Sequence, residues 1–135
     1  MNRRTFNTLG VAGAVTTLLP SIEKLSLTKS KNMKTAFVHH VYFWLKNKDS
    51  KEDLAKLVEG LNTLTKVKSL KTHHIGVPAG TNRDVIDGSY SISWLTIFDD
   101  AKGQDAYQID PIHLAFVDNY KHLWSKVIVY DSINI

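Results

Sequence analysis

Thr35 to Leu45, TAFVHHVYFWL, restricts the fold more than any other segment, because large apolar side chains stand on both alternating sides of it. Phe37, Val41, Phe43 and Leu45 fall on one side, and Val38, Tyr42 and Trp44 on the other. Successive side chains of an extended chain point to opposite faces, so the pattern predicts a strand covered on both faces. Whatever surrounds it has to supply two covers.

The rest of the chain offers few elements for that task. Asn47 to Asp49 breaks the strand, and Ser50 opens a helix with Asp53 three residues on as a capping partner. Leu54, Leu57, Val58, Leu61 and Leu64 recur at helical spacing, so one face of this helix has to lie on something flat. Lys68 to Val77 predicts a second strand, ended by Pro78-Ala79-Gly80, and Thr81 to Gly88 reads as a polar loop. Ser89 to Phe98 alternates, with Tyr90, Ile92, Trp94, Thr96 and Phe98 against Ser91, Ser93, Leu95 and Ile97, and predicts a third strand. A helical region is expected from Asp99, interrupted near Gly103 and restarted at Asp110-Pro111, where Asp caps and Pro suits the first helical position. Its apolar face is expected from Leu114, Phe116, Val117, Tyr120, Leu123 and Trp124, and Val127 to Ile135 closes the chain as a fourth strand.

This order, β-α-β-β-α-β, is the ferredoxin-like arrangement of an α+β fold: a four-stranded antiparallel sheet with its helices on one face. The helices leave the other face of the sheet bare, although its strands are apolar there too. A second copy of the chain is the simplest cover, which predicts a symmetric homodimer with two sheets facing each other around an interior, a dimeric α/β barrel.

Charge divides the chain unevenly. Residues 1–33 hold Arg3, Arg4, Lys24, Lys29 and Lys31 against Glu23, which is the whole formal excess of +4. The body from residue 34 is neutral, which disfavours the basic patch that a nucleic acid requires. Cysteine is absent, so disulfides, thiolate metal sites and thiol nucleophiles are excluded. Arg3-Arg4-Thr5-Phe6 followed by the Gly/Ala-rich run Leu9 to Leu19 resembles a twin-arginine export signal, too short and too weakly apolar for a spanning helix. Residues 1–20 are thus expected to be a leader, residues 21–33 a Lys- and Ser-rich tether, and residues 34–135 the folded domain. A bacterial periplasmic protein without stable membrane insertion follows as the expectation.

Six histidines and a barrel interior suggest where chemistry could occur. Histidine is the natural general base near neutral pH, and a phenol can hydrogen-bond a developing enolate. Tyr107 and His113 are the candidates for these roles, with His40, Tyr42 and Trp94 as candidates for the ligand-binding wall. Each has a structural alternative: His113 bonding its own loop, or the tryptophans packing a core. His39 and His40 must face opposite sides of their strand, and so must His73 and His74. No H-x-x-x-H spacing or histidine-carboxylate cluster supports a metal, so neither metal nor cofactor is assigned. No glycine-rich phosphate loop or Ser-His-Asp order is visible, which removes nucleotide-dependent and hydrolase readings.

Several of these residues also match a known family pattern. Val38-His39-His40-Val41 with Phe43 and Lys46, Gly76, Phe98, the run Tyr107-x-x-Asp110-Pro111-x-His113, and Trp124 to Asp131 together resemble the stress-responsive A/B-barrel (Dabb) family over residues 35–131. The resemblance implies a ferredoxin-like protomer that dimerises into a barrel. In a plant polyketide cyclase of that family, the residue matching His113 is general base and the one matching Tyr107 assists it; His40 also matches. Asp110 stands where many members have His. Two functional readings follow. One is a binding or stress-protective module holding a small apolar or carbonyl-containing compound in the dimer interior. The other is a cyclase- or lyase-like enzyme in which His113 abstracts a proton beside a carbonyl and Tyr107 donates a hydrogen bond.

Overall fold

The computed structural model describes residues 35–135. The leader and the tether expected over residues 1–33 lie outside the described residues. Four strands, β1 (Phe37–Leu45), β2 (Leu70–Gly76), β3 (Ile92–Phe98) and β4 (Trp124–Ile133), form one antiparallel sheet in the order β2-β3-β1-β4. Three helices accompany it: α1 (Lys51–Leu64), α2 (Ala101–Gln108) and α3 (Pro111–Tyr120), with a single 3₁₀ turn at Lys121–Leu123. This is the ferredoxin-like α+β architecture, with the predicted second helical region present as α2 and α3.

Capping explains where the helices begin. The Ser50 hydroxyl accepts from the Asp53 amide at 3.1 Å. Asp110 caps α3 by accepting from the Ile112 amide at 2.8 Å, and Pro111 occupies the first helical turn, where its missing N–H costs nothing. The break expected near Gly103 does not occur, and α2 runs through it. Asp100 Oδ1 accepts the Gly103 amide at 2.9 Å, so the glycine lies in the capped first turn rather than in a helix interior. Trp124 and Leu114 are also placed differently from the sequence expectation. The helix ends at Tyr120 and Trp124 begins β4, while Leu114 is 55% exposed on the side of α3 away from Phe116.

The core lies between the sheet and the helices. From β1 it takes Val41, Phe43 and Leu45, from α1 Leu57, Leu61 and Leu64, and from β3 Ile92, Trp94 and Phe98. Gly60 of α1 permits a close approach of the two longer helices, because a Cβ there would come within 2.7 Å of the Tyr120 ring. The register of β1 with β3 and β4 sets His39 beside Thr96 on one side and Asp131 on the other, all on the helix-covered face. His40 is set between Leu95 and Tyr130 on the open face.

Candidate functional site

Chain alternation divides the five residues singled out from sequence into two groups. Trp94, Tyr107 and His113 meet beneath the helices, whereas His40 and Tyr42 stand on the opposite face of the sheet. The single interior bounded by His40, Tyr107 and His113 is therefore not formed within the protomer. The sheet itself lies between them, because His40 follows a residue of β1 that points under the helices.

The helix-covered group is built around Tyr107, which is 1% exposed at the C-terminal end of α2. Its hydroxyl oxygen accepts from Trp94 Nε1 at 3.1 Å, so the buried indole N–H has its partner. The hydroxyl proton, by contrast, has no acceptor among the described residues. Burial pushes the phenol up to about 12, offset only in part by the Trp94 bond. Tyr107 is consequently a protonated donor near neutral pH and not a base.

His113, half-buried in the first turn of α3, stacks obliquely on Tyr107 with ring centroids 4.5 Å apart. Its Nδ1 lies 3.1 Å from the Gln108 carbonyl, which can only accept. The proton of the neutral ring is therefore held on Nδ1, and the basic lone pair is on Nε2. Desolvation is the main influence on its pKa and lowers it, with His39 adding to the effect and the Gln108 bond and Asp110 opposing it. Asp110 thus serves both as the cap of α3 and as a neighbouring charge. The loop-bonding role considered for His113 is present, and it supplies the tautomer a base requires.

His39 and Asp131 complete the cluster, and sequence reasoning had assigned neither. His39 Nδ1 donates to Asp131 Oδ1 at 2.6 Å, a short charge-assisted bond with the imidazole only 7% exposed. The His39 ring meets Tyr107 edge-on at 6.0 Å. Its backbone is pinned as well, since the buried Thr96 hydroxyl donates to the His39 carbonyl at 3.0 Å. Alternation already put His39 and His40 on opposite sides of their strand. The ninety-odd residues separating His39 from Asp131 are bridged only by the β1–β4 register, which has no local signal.

Next to this cluster the sheet is incompletely covered. Val127 and Val129 lie on the same face as Asp131 and remain 38% and 44% exposed, while their β1 partners Phe43 and Val41 are buried. The helices cover β1 and β3 but leave β4 as an apolar ledge leading to the His39–Asp131 pair. Among the described residues there is no group of three or more His, Asp or Glu side chains that could hold a metal. None of the described helices is long and apolar enough to cross a membrane.

On the open face, the Tyr42 hydroxyl and His40 Nδ1 lie 3.2 Å apart with their rings stacked at 4.3 Å. His40 Nε2 is buried without a hydrogen-bond partner. Desolvation, then the nearby His74 and His39, lower the His40 pKa.

The fold and its paired histidines define an α+β barrel protomer of ferredoxin-like type. The stress-responsive A/B barrel domain model matches residues 37–134, nearly all of the described chain, and the protein belongs to that family. Solved structures agree on the fold. A hydroxynitrile lyase from Passiflora edulis has a TM-score of 0.65 at 17% identity, covering 76% of this chain and 95% of its own. A Dabb-family protein from Mesorhizobium loti has 0.62 at 20% identity, covering 74% of this chain and 97% of its own. A dimeric ferredoxin-like protein of unknown function from Thermobifida fusca has 0.61 at 18% identity, covering 73% and 90%. No curated protein sequence matches the chain.

Proposed function

We propose that this protein is an enzyme that moves a proton next to the carbonyl of a small, partly apolar compound bound at the helix-covered face. In this reading His113 Nε2 takes a proton from the carbon beside the carbonyl, and the electron pair of the broken C–H bond moves onto the carbonyl oxygen. The free proton of Tyr107 meets that oxygen, in a buried site where such a bond gains strength. The carrying observation is the complementary commitment of the two groups. Tyr107 accepts from Trp94 and still has its proton to give, while the neutral His113 ring donates to Gln108 and still has the Nε2 lone pair to offer. His39, oriented by Asp131, is a second proton carrier that could return the proton to product. The β4 ledge at Val127 and Val129 suits the apolar part of the ligand. A lyase among the structural neighbours is in keeping with an enzyme on this fold.

Deuterium uptake tests the reading directly. Acetophenone, cyclohexanone and an acetoacetyl thioester would be incubated with the protein in D₂O, with exchange at the carbon next to the carbonyl followed by NMR. Acceleration over buffer is expected for at least one probe, falling by roughly 10²-fold or more in His113→Gln, as for loss of a general base. No acceleration with any probe, or acceleration that His113→Gln leaves intact, rejects it.

The same proposal includes a homodimer across the open face and a folded domain over residues 34–135, exported behind a twin-arginine leader to the periplasm. The dimeric neighbour and the neutral body support these parts. A light-scattering mass of one protomer at micromolar concentration would reject the dimer. Unchanged periplasmic recovery after Arg3→Lys with Arg4→Lys would reject the leader.

A further inference from the structure

Cross-strand pairing puts a row of four side chains, His74, Leu95, His40 and Tyr130, across the open face. The matching row on the covered face runs through His39 to Asp131, which accepts from the His39 ring at 2.6 Å. His40 has no such carboxylate, because Tyr130 occupies the β4 position beside it. The open-face rows on either side, through Tyr42 and Val38, contain no acidic or basic side chain.

A positive charge in this row has no support. Burial, then Tyr90 and Tyr130, raise the Tyr42 phenol, so Tyr42 keeps its proton and can donate it to His40 Nδ1, 3.2 Å away. The proton of the neutral ring is then on Nε2, which is buried without a partner among the described residues. Adding a second proton makes both ring nitrogens donors and leaves the charge with no acceptor at Nε2. Exposed His74 faces His40 from β2, and its ring lies down over Gly76, where a Cβ would come within 2.7 Å of Cε1. His39 is behind the sheet. Lys126 and Asp87, whose opposite charges offset each other, stand by Trp44, about 13 Å along β1 from His40. Two imidazoles thus face the space that a second copy would fill, with nothing acidic to balance them.

We infer that the homodimer is an acid-released assembly, in which a second copy covers the open face only while His40 and His74 are neutral. This rests on the homodimer reading above. Covering the row removes water from both imidazoles and so disfavours their charged forms. Burial already lowers the His40 pKa in one chain, with His74 and His39 adding to it. Assembly is therefore strongest above the ordinary histidine value near 6.5 and is lost as pH falls below it.

The full chain is followed by sedimentation velocity over a dilution series at pH 7.5 and 5.5, with far-UV circular dichroism at both to show that it stays folded. The dimer Kd is expected to rise about tenfold or more at pH 5.5, the effect of excluding roughly one proton over one pH unit. His40→Gln combined with His74→Gln should stay dimeric at pH 7.5 and hold Kd within about twofold between the two conditions. His74→Gln alone, at an exposed position, should reduce the rise severalfold. His113→Gln, on the other face, should leave the rise intact. A dimer at pH 7.5 whose Kd does not move at pH 5.5, or a rise that the double variant keeps, overturns the acid release and leaves the homodimer standing. Dissociation that occurs only with loss of the far-UV signal overturns it as well. A single protomer at pH 7.5 overturns the homodimer itself, and the acid release with it.

Discussion

The two faces of the sheet are built from the same four strands and differ in what covers them. On the helix side, Trp94, Phe98, Ile92 and Thr96 are at most 1% exposed, and the polar groups there are paired: Trp94 with Tyr107, His39 with Asp131, Thr96 with the His39 backbone. On the open side the aromatics contact one another in pairs, and His40 Nε2 is buried with no partner. A buried unpaired nitrogen is costly, so the first face is packed in one chain everywhere but along β4, and the second is the less finished of the two. The difference teaches that the packed core lies on one side of this protomer together with the proposed proton chemistry, and that the other side is left for the proposed association.

Four measurements would break or sharpen that contrast. The largest effect is expected from Phe98→Ala, a fully buried ring on the covered face, which should cost roughly 3–5 kcal/mol in urea denaturation. A loss below about 1 kcal/mol would mean that the helix side is not the core. Tyr107→Phe should cost less, roughly 1–3 kcal/mol, because it strands the buried Trp94 Nε1 without its acceptor. An unchanged midpoint would show that another acceptor replaces the phenol.

Histidine linkage comes next. Burial lowers the pKa of both His113 and His40, so each binds its proton more readily in the unfolded chain. Their stabilising contribution is full above the unfolded value near 6.5 and is lost as pH falls below it. Midpoints measured from pH 7.5 to 5 should therefore decline, and His113→Gln or His40→Gln should each flatten the slope by less than about one proton. A slope that neither variant changes would assign the acid sensitivity to other groups. The smallest effect is expected from Tyr130→Ala on the open face, within about 0.5 kcal/mol for the isolated protomer. A larger loss that grows on dilution would show that a second copy rests on this ring.

Much of the architecture was legible in the sequence, because it rests on local rules. Alternation in Thr35–Leu45 and Ser89–Phe98 marked strands with two apolar faces, and the leucine spacing of Leu54 to Leu64 marked α1. Asp110-Pro111 marked the start of α3 for capping reasons that the structure repeats. Where local rules conflicted they failed. Gly103 reads as a helix break, yet Asp100 captures its amide and keeps it in the first turn. Trp124 continues a helical apolar pattern, yet the 3₁₀ turn at Lys121–Leu123 ends the helix and hands Trp124 to β4.

The candidate site was legible only in part. Tyr107 and His113 are six residues apart, so capping and helix geometry around Asp110 were enough to bring them together. Trp94 joins them and His40 does not, and that was decided by which face of the sheet α2 and α3 cover. His39 and Asp131 are joined solely by the pairing of the first strand with the last, a long-range register that no window of sequence encodes. The sequence alone determined the elements, their two-faced strands and the chemical character of the residues, since these follow from side-chain type and spacing. Only the tertiary structure decided which histidine meets a carboxylate and which is left facing the open side, because strand order and helix placement depend on contacts summed over the whole chain.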